Sequence, residues 1–168
     1  MKLETKRLTI IPLNLEQFNL MLKGMDKIEN ELGLNNSYEI LDDHTQKAME
    51  GLYKEAEKHK ENYLWYTNWQ IILRKENVSI GSACFMGQAD ESGIVEIGYG
   101  INEKYRGNGY MTEAVEIICK WALREQGISR IIALTEKDNF ASQKVLQKCG
   151  FIKYKEDGVN NSYFIIKK

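Results

Sequence analysis

No run of about 18 apolar residues occurs in this sequence, so no segment reads as a membrane-spanning helix. The stretch from Met1 to Pro12 alternates charged and apolar residues and lacks the unbroken apolar core of a secretory signal. A cytoplasmic location is therefore the expectation. Charge of one sign is not in excess. Twenty-three Lys and Arg stand against 24 Asp and Glu, a formal net charge of -1, without the basic surplus of a general nucleic-acid binder. Lys153 and Lys155 lie close together but alternate with Tyr154 and Glu156, the pattern of a solvated strand face. Cysteine is scarce. Cys84, Cys119 and Cys149 are far apart, odd in number and match no zinc spacing. Each sits in an apolar stretch and reads as a buried thiol of a reducing compartment. His44 and His59 find no acidic partners by spacing, so no metal site is expected. Repeats, linkers and low-complexity segments are absent too. What remains is a balanced globular composition, 43% hydrophobic and 28% charged, that fits one domain over residues 1–168. A chain of this length can bury roughly 68–70% of its unfolded surface without a disulfide or a structural metal.

Leu3 to Leu13 reads as one strand, Leu8 and Ile10 alternating with Thr9 and Ile11, with Pro12 marking an edge or an end. Leu15, Phe18, Leu22 and Met25 have helical spacing, and Asn14 is placed to cap that helix. Residues Asp26 to Asp43 are polar and give no assignment. Thr45 to Lys60 reads as a second helix with Ala48, Leu52 and Ala56 on one face. Trp69 to Leu73 and Val78 to Phe85 flank the charged turn Arg74 to Asn77, and Ile94 to Ile101 is a third strand, together implying an antiparallel meander. Met111, Ala114, Val115, Ile118 and Ala122 mark a strong helix, stopped at Gly127. Arg130 to Thr135 is a β-branched strand. Ala141 to Lys148 is a helix, with Val145 and Leu146 inward, ended by Gly150. Phe151 to Tyr154 and Tyr163 to Ile166 close the chain around a turn at Asp157 to Asn161. The unit from Ile94 to Thr135 is expected to cross over with its two strands parallel. The fold class is mixed α/β: a mostly antiparallel twisted sheet with a central parallel strand pair and helices on both faces.

The sharpest local feature is Tyr105-Arg106-Gly107-Asn108-Gly109-Tyr110-Met111-Thr112, between a strand and the strong helix. Two glycines allow a tight turn and close approach of the backbone to a ligand. Free N–H groups at the helix start, with the helix dipole, then favour an anion such as phosphate. Arg106 adds a cation. The loop lacks the Gly-Lys-Ser/Thr ending of a Walker A motif. It also has Thr112 where a dinucleotide fingerprint needs a third glycine, although Glu136 does follow the next strand. A plain turn with no ligand stays open as the reading of the glycine pair alone.

The segment Val95-Glu96-Ile97-Gly98-Tyr99-Gly100-Ile101, continued by Lys104-Tyr105-Arg106-Gly107-Asn108-Gly109-Tyr110-Met111-Thr112-Glu113-Ala114, resembles the acetyl-CoA-binding motif of GNAT N-acetyltransferases. Lys120-Trp121-Ala122, Gly127 to Ile131, Asn139-Phe140-Ala141-Ser142 and Val145-Leu146-Gln147-Lys148-Cys149-Gly150-Phe151 follow in the family's order, and Leu3 to Ile10 also fits. The set is similar to the RimJ/RimL-like branch, which acetylates the N-terminal amine of ribosomal proteins. The resemblance covers most of the chain and is weakest from about Asp26 to Asn68. Lys104 departs from the family's Gln or Arg but keeps a charge. Leu146 stands where many members carry a tyrosine that protonates the leaving thiolate, and this branch commonly has a serine like Ser142 instead.

The resemblance implies transfer of an acetyl group from acetyl-CoA to a primary amine, a protein N-terminus or a small molecule, with no metal. The neutral amine would attack the thioester carbonyl, and donors would stabilise the oxyanion and the departing thiolate. Backbone N–H groups of Arg106, Gly107, Asn108, Gly109, Tyr110 and Met111 would hold the pyrophosphate, helped by the side chains of Arg106 and Lys104. Tyr99, Gly100 and Ile101, on the strand from Gly98 to Ile101, would run beside the pantetheine arm. The Tyr99 side chain alternates toward the core. Asn139 either bonds the pantetheine or caps its helix. Ser142 either hydrogen-bonds the thiolate or is an ordinary first-turn residue. Glu96, on the face of Gly98 and Gly100, is either the base, acting through water, or a solvated glutamate. Tyr63, Trp65, Tyr66 and Trp69 either line the acceptor site or belong to the core. Glu29, Glu31, Asp42 and Asp43 permit an acidic cleft for a cationic acceptor. A CoA-binding module without turnover is the competing reading, and a dinucleotide oxidoreductase is opposed by the antiparallel first half. A monomer and a homodimer both fit, the latter through exposed strand edges.

Overall fold

The computed structural model describes residues 1–167, so residue 168 of the expected domain lies outside it. An eight-stranded sheet runs in the order β1-β2-β3-β4-β5-β6-β8-β7. The strands are β1 (Leu3–Glu4), β2 (Leu8–Pro12), β3 (Asn68–Leu73), β4 (Val78–Phe85), β5 (Ile94–Ile101), β6 (Arg130–Glu136), β7 (Ile152–Glu156) and β8 (Asn160–Ile166). Every neighbouring pair is antiparallel except β5 and β6, which are parallel. The helices are α1 (Leu15–Lys23), α2 (Met25–Glu31), α3 (Asp43–Lys58), α4 (Tyr110–Ala122) and α5 (Phe140–Lys148).

Strand alternation divides the helices between the two faces. Odd-numbered residues of β3, Trp69 and Ile71, join the buried cluster that includes Val115 and Ile118 of α4 and Leu146 of α5. Even-numbered neighbours point the other way. Gln70 donates to Met21 Sδ of α1 at 3.4 Å, and Asn68 donates to Met49 Sδ of α3 at 3.5 Å. A smaller core of Leu13, Phe18, Met21 and Ile28 lies under α1 and α2.

Four expectations shift. The strand expected from Leu3 to Leu13 is interrupted. The Thr5 amide donates to the Leu8 carbonyl and the Leu8 amide to Thr5 Oγ1, so residues 5–7 turn toward α4. The first helix stops at Gly24, whose φ of 149° no helix accommodates, and α2 restarts inside the segment left unassigned. In α3 the inward residues are Met49, Leu52, Tyr53 and Ala56, whereas Ala48 is exposed. The last strand begins at Asn160, because Asn161 and Ser162 are polar yet buried against β6.

Candidate active site

Both loop glycines are in the left-handed region, Gly107 at φ 78° and Gly109 at φ 77°. A side chain is strained there, so the two glycines fix the path of the chain into α4. Among the described residues, the N–H groups of Gly107, Asn108, Gly109, Tyr110, Met111 and Thr112 have no acceptor. Glu113 is the first to bond back, to the Gly109 carbonyl at 3.1 Å. Six consecutive unsatisfied donors at a helix start form an anion cradle by partial charge alone. The Asn108 side chain donates to the carbonyls of Tyr105 and Arg106, at 3.1 and 3.0 Å, and turns those acceptors away from the cradle. Arg106 is exposed and makes no ion pair among the described residues. Lys104 holds its ammonium 5.1 Å from the Tyr105 ring.

Beside the cradle the sheet forks. β5 pairs with β6 only through Ile94, Val95 and Glu96, facing Arg130, Ile131 and Ile132. From Ile97 to Ile101, β5 pairs with β4 alone. Glu96 accepts from Met86 and Asn102 donates to Ile80, so even-numbered residues of β5 bond toward β4. Tyr99 and Ile101 therefore present their backbone groups to the opposite side, into the gap that β6 has left. Glu96 stands at the apex of the fork. Its half-buried carboxyl has a pKa raised above the usual carboxylate value by desolvation. Gly98 and Gly100 share its face: the Met86 side chain covers Gly98, while the space over Gly100 is open.

Ser142 lies in the first turn of α5. The Asn139 side chain accepts from the Ser142 amide at 3.0 Å, so Asn139 caps the helix, and its Nδ2 has no partner among the described residues. The Ser142 hydroxyl is 3.0 Å from the Tyr99 hydroxyl. Tyr99 is only half-buried and belongs to the margin of the core, with its polar end at the gap. Ser142 and Tyr99 lie on the α4–α5 face and Glu96 on the other, so the gap between β5 and β6 is flanked from both sides. Leu146, one turn after Ser142, is fully buried.

The cradle thus opens onto a forked pair of parallel strands. Residues 7–152 match the family profile described as Acetyltransferase (GNAT) domain. The chain belongs to the GNAT acetyltransferases. It is 34% identical over 151 residues to the Bacillus subtilis N-acetyltransferase YjdG, covering 89% of each chain. Its fold resembles the ribosomal-protein-S5-alanine acetyltransferase of Vibrio fischeri, with TM-score 0.72, 20% identity, and 99% and 96% of the two chains covered. It also resembles RimL, a ribosomal L7/L12 α-N-protein acetyltransferase solved with coenzyme A, with TM-score 0.70, 16% identity, and 99% and 98% covered. The family uses acetyl-CoA as acyl donor, and this member is an acyltransferase.

In this GNAT chain three residues outside the quoted loop shape it, and sequence patterning did not single them out. The Arg7 Nε bonds Glu113 Oε2 at 2.7 Å, the Arg7 amide bonds Glu113 Oε1 at 2.9 Å, and Thr5 Oγ1 also donates to Glu113. The Arg7 guanidinium reaches the Asn108 carbonyl at 3.0 Å and lies 4.4 Å over the Tyr110 ring. The signal was present in the match of Leu3 to Ile10 to the family pattern. The partners lie more than a hundred positions away, so no local spacing exposes the contact.

Other candidates fall outside this constellation. Trp65 and Trp69 are core, packed with Phe85 and Trp121 at centroid distances of 4.8–6.4 Å. Tyr63 and Tyr66 are half-buried, and Tyr66 stacks on His59 at 4.6 Å. Of the four acidic residues, two are engaged in local structure. Glu29 is buried and accepts from the Ser37 amide, and Asp42 caps α3 through Thr45. A cavity of about 440 Å³ between α1, α2 and residues 36–41 lies under this helical flank, away from Glu96. The thiols are held un-ionised by burial, which pushes Cys84 up to about 11 and Cys149 to about 12.

Proposed function

We propose that this chain transfers an acetyl group from acetyl-CoA to a primary amine, a protein N-terminus or a small molecule, by direct attack within a ternary complex. The observation that carries the reading is the run of six unsatisfied amides from Gly107 to Thr112, beside a strand whose free edge is turned into a gap. The cradle fits a pyrophosphate, with Arg106 and Lys104 adding charge at its rim. The outward backbone groups of Tyr99 and Ile101 fit an amide-bearing arm laid along β5 as an extra strand, and Gly100 leaves its path clear. Asn139 keeps one donor for the same arm while capping α5. Acetyl-CoA supplies the activated acyl group.

Glu96 serves as the base, directly or through water. Burial that raises its pKa brings it closer to neutrality, where a carboxylate accepts a proton more effectively. Ser142 donates a hydrogen bond to the departing sulfur. A protein N-terminus is favoured as acceptor by the similarity to ribosomal-protein acetyltransferases and by the open space over the exposed Gly100.

The test is thiol release from acetyl-CoA in the presence of a panel of N-terminal peptides and small amines. At least one peptide should be turned over, and kcat/KM should rise with pH through an apparent pKa above the usual carboxylate range. Glu96→Gln should lower kcat by roughly 10²–10⁴-fold and erase that limb. Full activity in Glu96→Gln would remove Glu96 from the mechanism. Turnover of small amines alone would exclude the N-terminal acceptor.

A further inference from the structure

The Tyr99 phenol is the one polar side-chain group on β5 that touches a proposed catalytic group from the core side. Its oxygen lies 3.0 Å from Ser142 Oγ and 3.3 Å from the Ser142 carbonyl. That carbonyl also accepts from the amide four residues on, as in any helix. The titratable groups that act on the phenol electrostatically are Cys119 of α4, Cys149 at the end of α5 and Tyr163 of β8. Burial pushes Tyr99 up to about 12, against the opposing pull of the Ser142 hydrogen bond. The phenol therefore keeps its proton across the whole working range of pH, and either hydroxyl of the pair could donate to the other.

A serine hydroxyl has one hydrogen and two acceptor sites. If its hydrogen is given to a neighbour, it has nothing to offer a thiolate. We propose that Tyr99 is a positioning residue for Ser142: its phenol donates to Ser142 Oγ, so that the single serine hydrogen is directed into the β5–β6 gap, at the leaving sulfur. The proposal rests on the acetyl-transfer reading and gives the buried side of the site a function. In the step itself the amine nitrogen bonds the carbonyl carbon, the C–S bond breaks and its electron pair stays on sulfur. Ser142 hydrogen-bonds that thiolate without losing its proton. The proton shed by the amine passes to Glu96 or water, and the thiolate is protonated from solvent on release. The phenol takes over one acceptor site of the serine, and a hydrogen-bond chain of this kind strengthens the outward donor. Leu146 cannot substitute, since it is apolar and fully buried.

The experiment needs no knowledge of the acceptor. CoA is bound to the intact protein, Ser142→Ala, Tyr99→Phe and the double variant, with affinities from calorimetry and folding from thermal melts. The thiol of bound CoA is titrated by its thiolate absorbance, with the desulfo-CoA complex as the reference for protein tyrosines. In the intact protein the bound thiol should titrate below free CoA. Tyr99→Phe should raise its pKa by about one unit, a tenfold change in ionisation, with CoA affinity little altered. The double variant should be no higher than Ser142→Ala alone, because Tyr99 acts through Ser142. CoA bound to Tyr99→Phe with an unmoved thiol pKa, or shifts that add in the double variant, would overturn the positioning role alone. CoA that fails to bind the intact protein would overturn the acetyl-transfer reading and this proposal with it.

Discussion

At Glu113, burial pulls the carboxyl pKa upward, but hydrogen bonds from Thr5 and Arg7 and the Arg7 charge outweigh it and leave the group below its ordinary 4.5. A depressed folded-state pKa stabilises above the unfolded-state value, and that stability is lost as pH falls through the folded-state value. The Arg7 side chain is 40% exposed, so solvent screens the pair and its contribution is of the order of 1 kcal/mol. The melting-temperature gap between the intact protein and Glu113→Gln should be constant from neutral pH to the top of the carboxylate range and shrink below it. A gap that ignores pH would mean that the ionised form of Glu113 is not what braces the loop. Leu146 gives a second residue-level test. Its side chain is fully buried beside α4, and Leu146→Tyr would overpack the core by an aromatic ring, costing roughly 1–3 kcal/mol. Thermal melts should show that loss, and Leu146→Tyr should not restore thiolate stabilisation to Ser142→Ala. Rescue would show that a phenol at 146 reaches the gap.

Among the elements, β4 and β5 are locked at Gly81 and the loop into α4 at Gly107, for different reasons. A Cβ on Gly81 would sit 2.3 Å from the Gly100 carbonyl oxygen and 2.9 Å from the Ile101 Cα, both backbone atoms that cannot yield without moving β5. A Cβ on Gly107 would meet nothing within 4 Å, but its φ of 78° is strained for any side chain. Gly107→Ala should cost about 1–2 kcal/mol in melting experiments, the usual penalty of the left-handed conformation. Gly81→Ala should cost more and should also weaken CoA binding, because the strand proposed to carry the pantetheine is displaced. An unchanged melt for Gly81→Ala would contradict the register that pairs Gly81 with Ile101. Elements were readable in sequence where local periodicity sets them. α4 announces itself through Met111, Ala114, Val115 and Ile118, all buried as expected. In α3 Leu52 and Ala56 turn inward as expected, but Met49 takes the place expected of Ala48, because both are apolar and only packing against α1 decides between them. The split of the first strand was not readable, since the turn at Thr5 is held by a glutamate from α4.

Across the whole molecule, the mixed α/β order, the meander and the parallel pair of β5 and β6 were legible because turn residues and apolar runs mark them. The turn from Arg106 to Met111 into α4 was legible because paired glycines before a strong apolar stripe mark a tight turn at a helix start. What the sequence could not display is how far β5 and β6 stay together. Pairing ends at Glu96, and that single structural fact places Glu96 at the apex of a fork. The Tyr99 phenol lay hidden for a similar reason: alternation assigns it to the core side, and only the seating of α5 brings Ser142 to within 3.0 Å of it. The proposed function lays a phosphate-bearing thioester across both the six unsatisfied amides and the forked sheet. Calorimetric titration with acetyl-CoA and with S-acetyl-pantetheine, which lacks the pyrophosphate, tests this most directly. Acetyl-CoA should bind with Kd of the order of micromolar, about −8 kcal/mol, and acetyl-pantetheine at least about tenfold more weakly. Equal affinities, or no binding of acetyl-CoA, would contradict the assignment of the loop from Gly107 to Thr112 as the phosphate cradle.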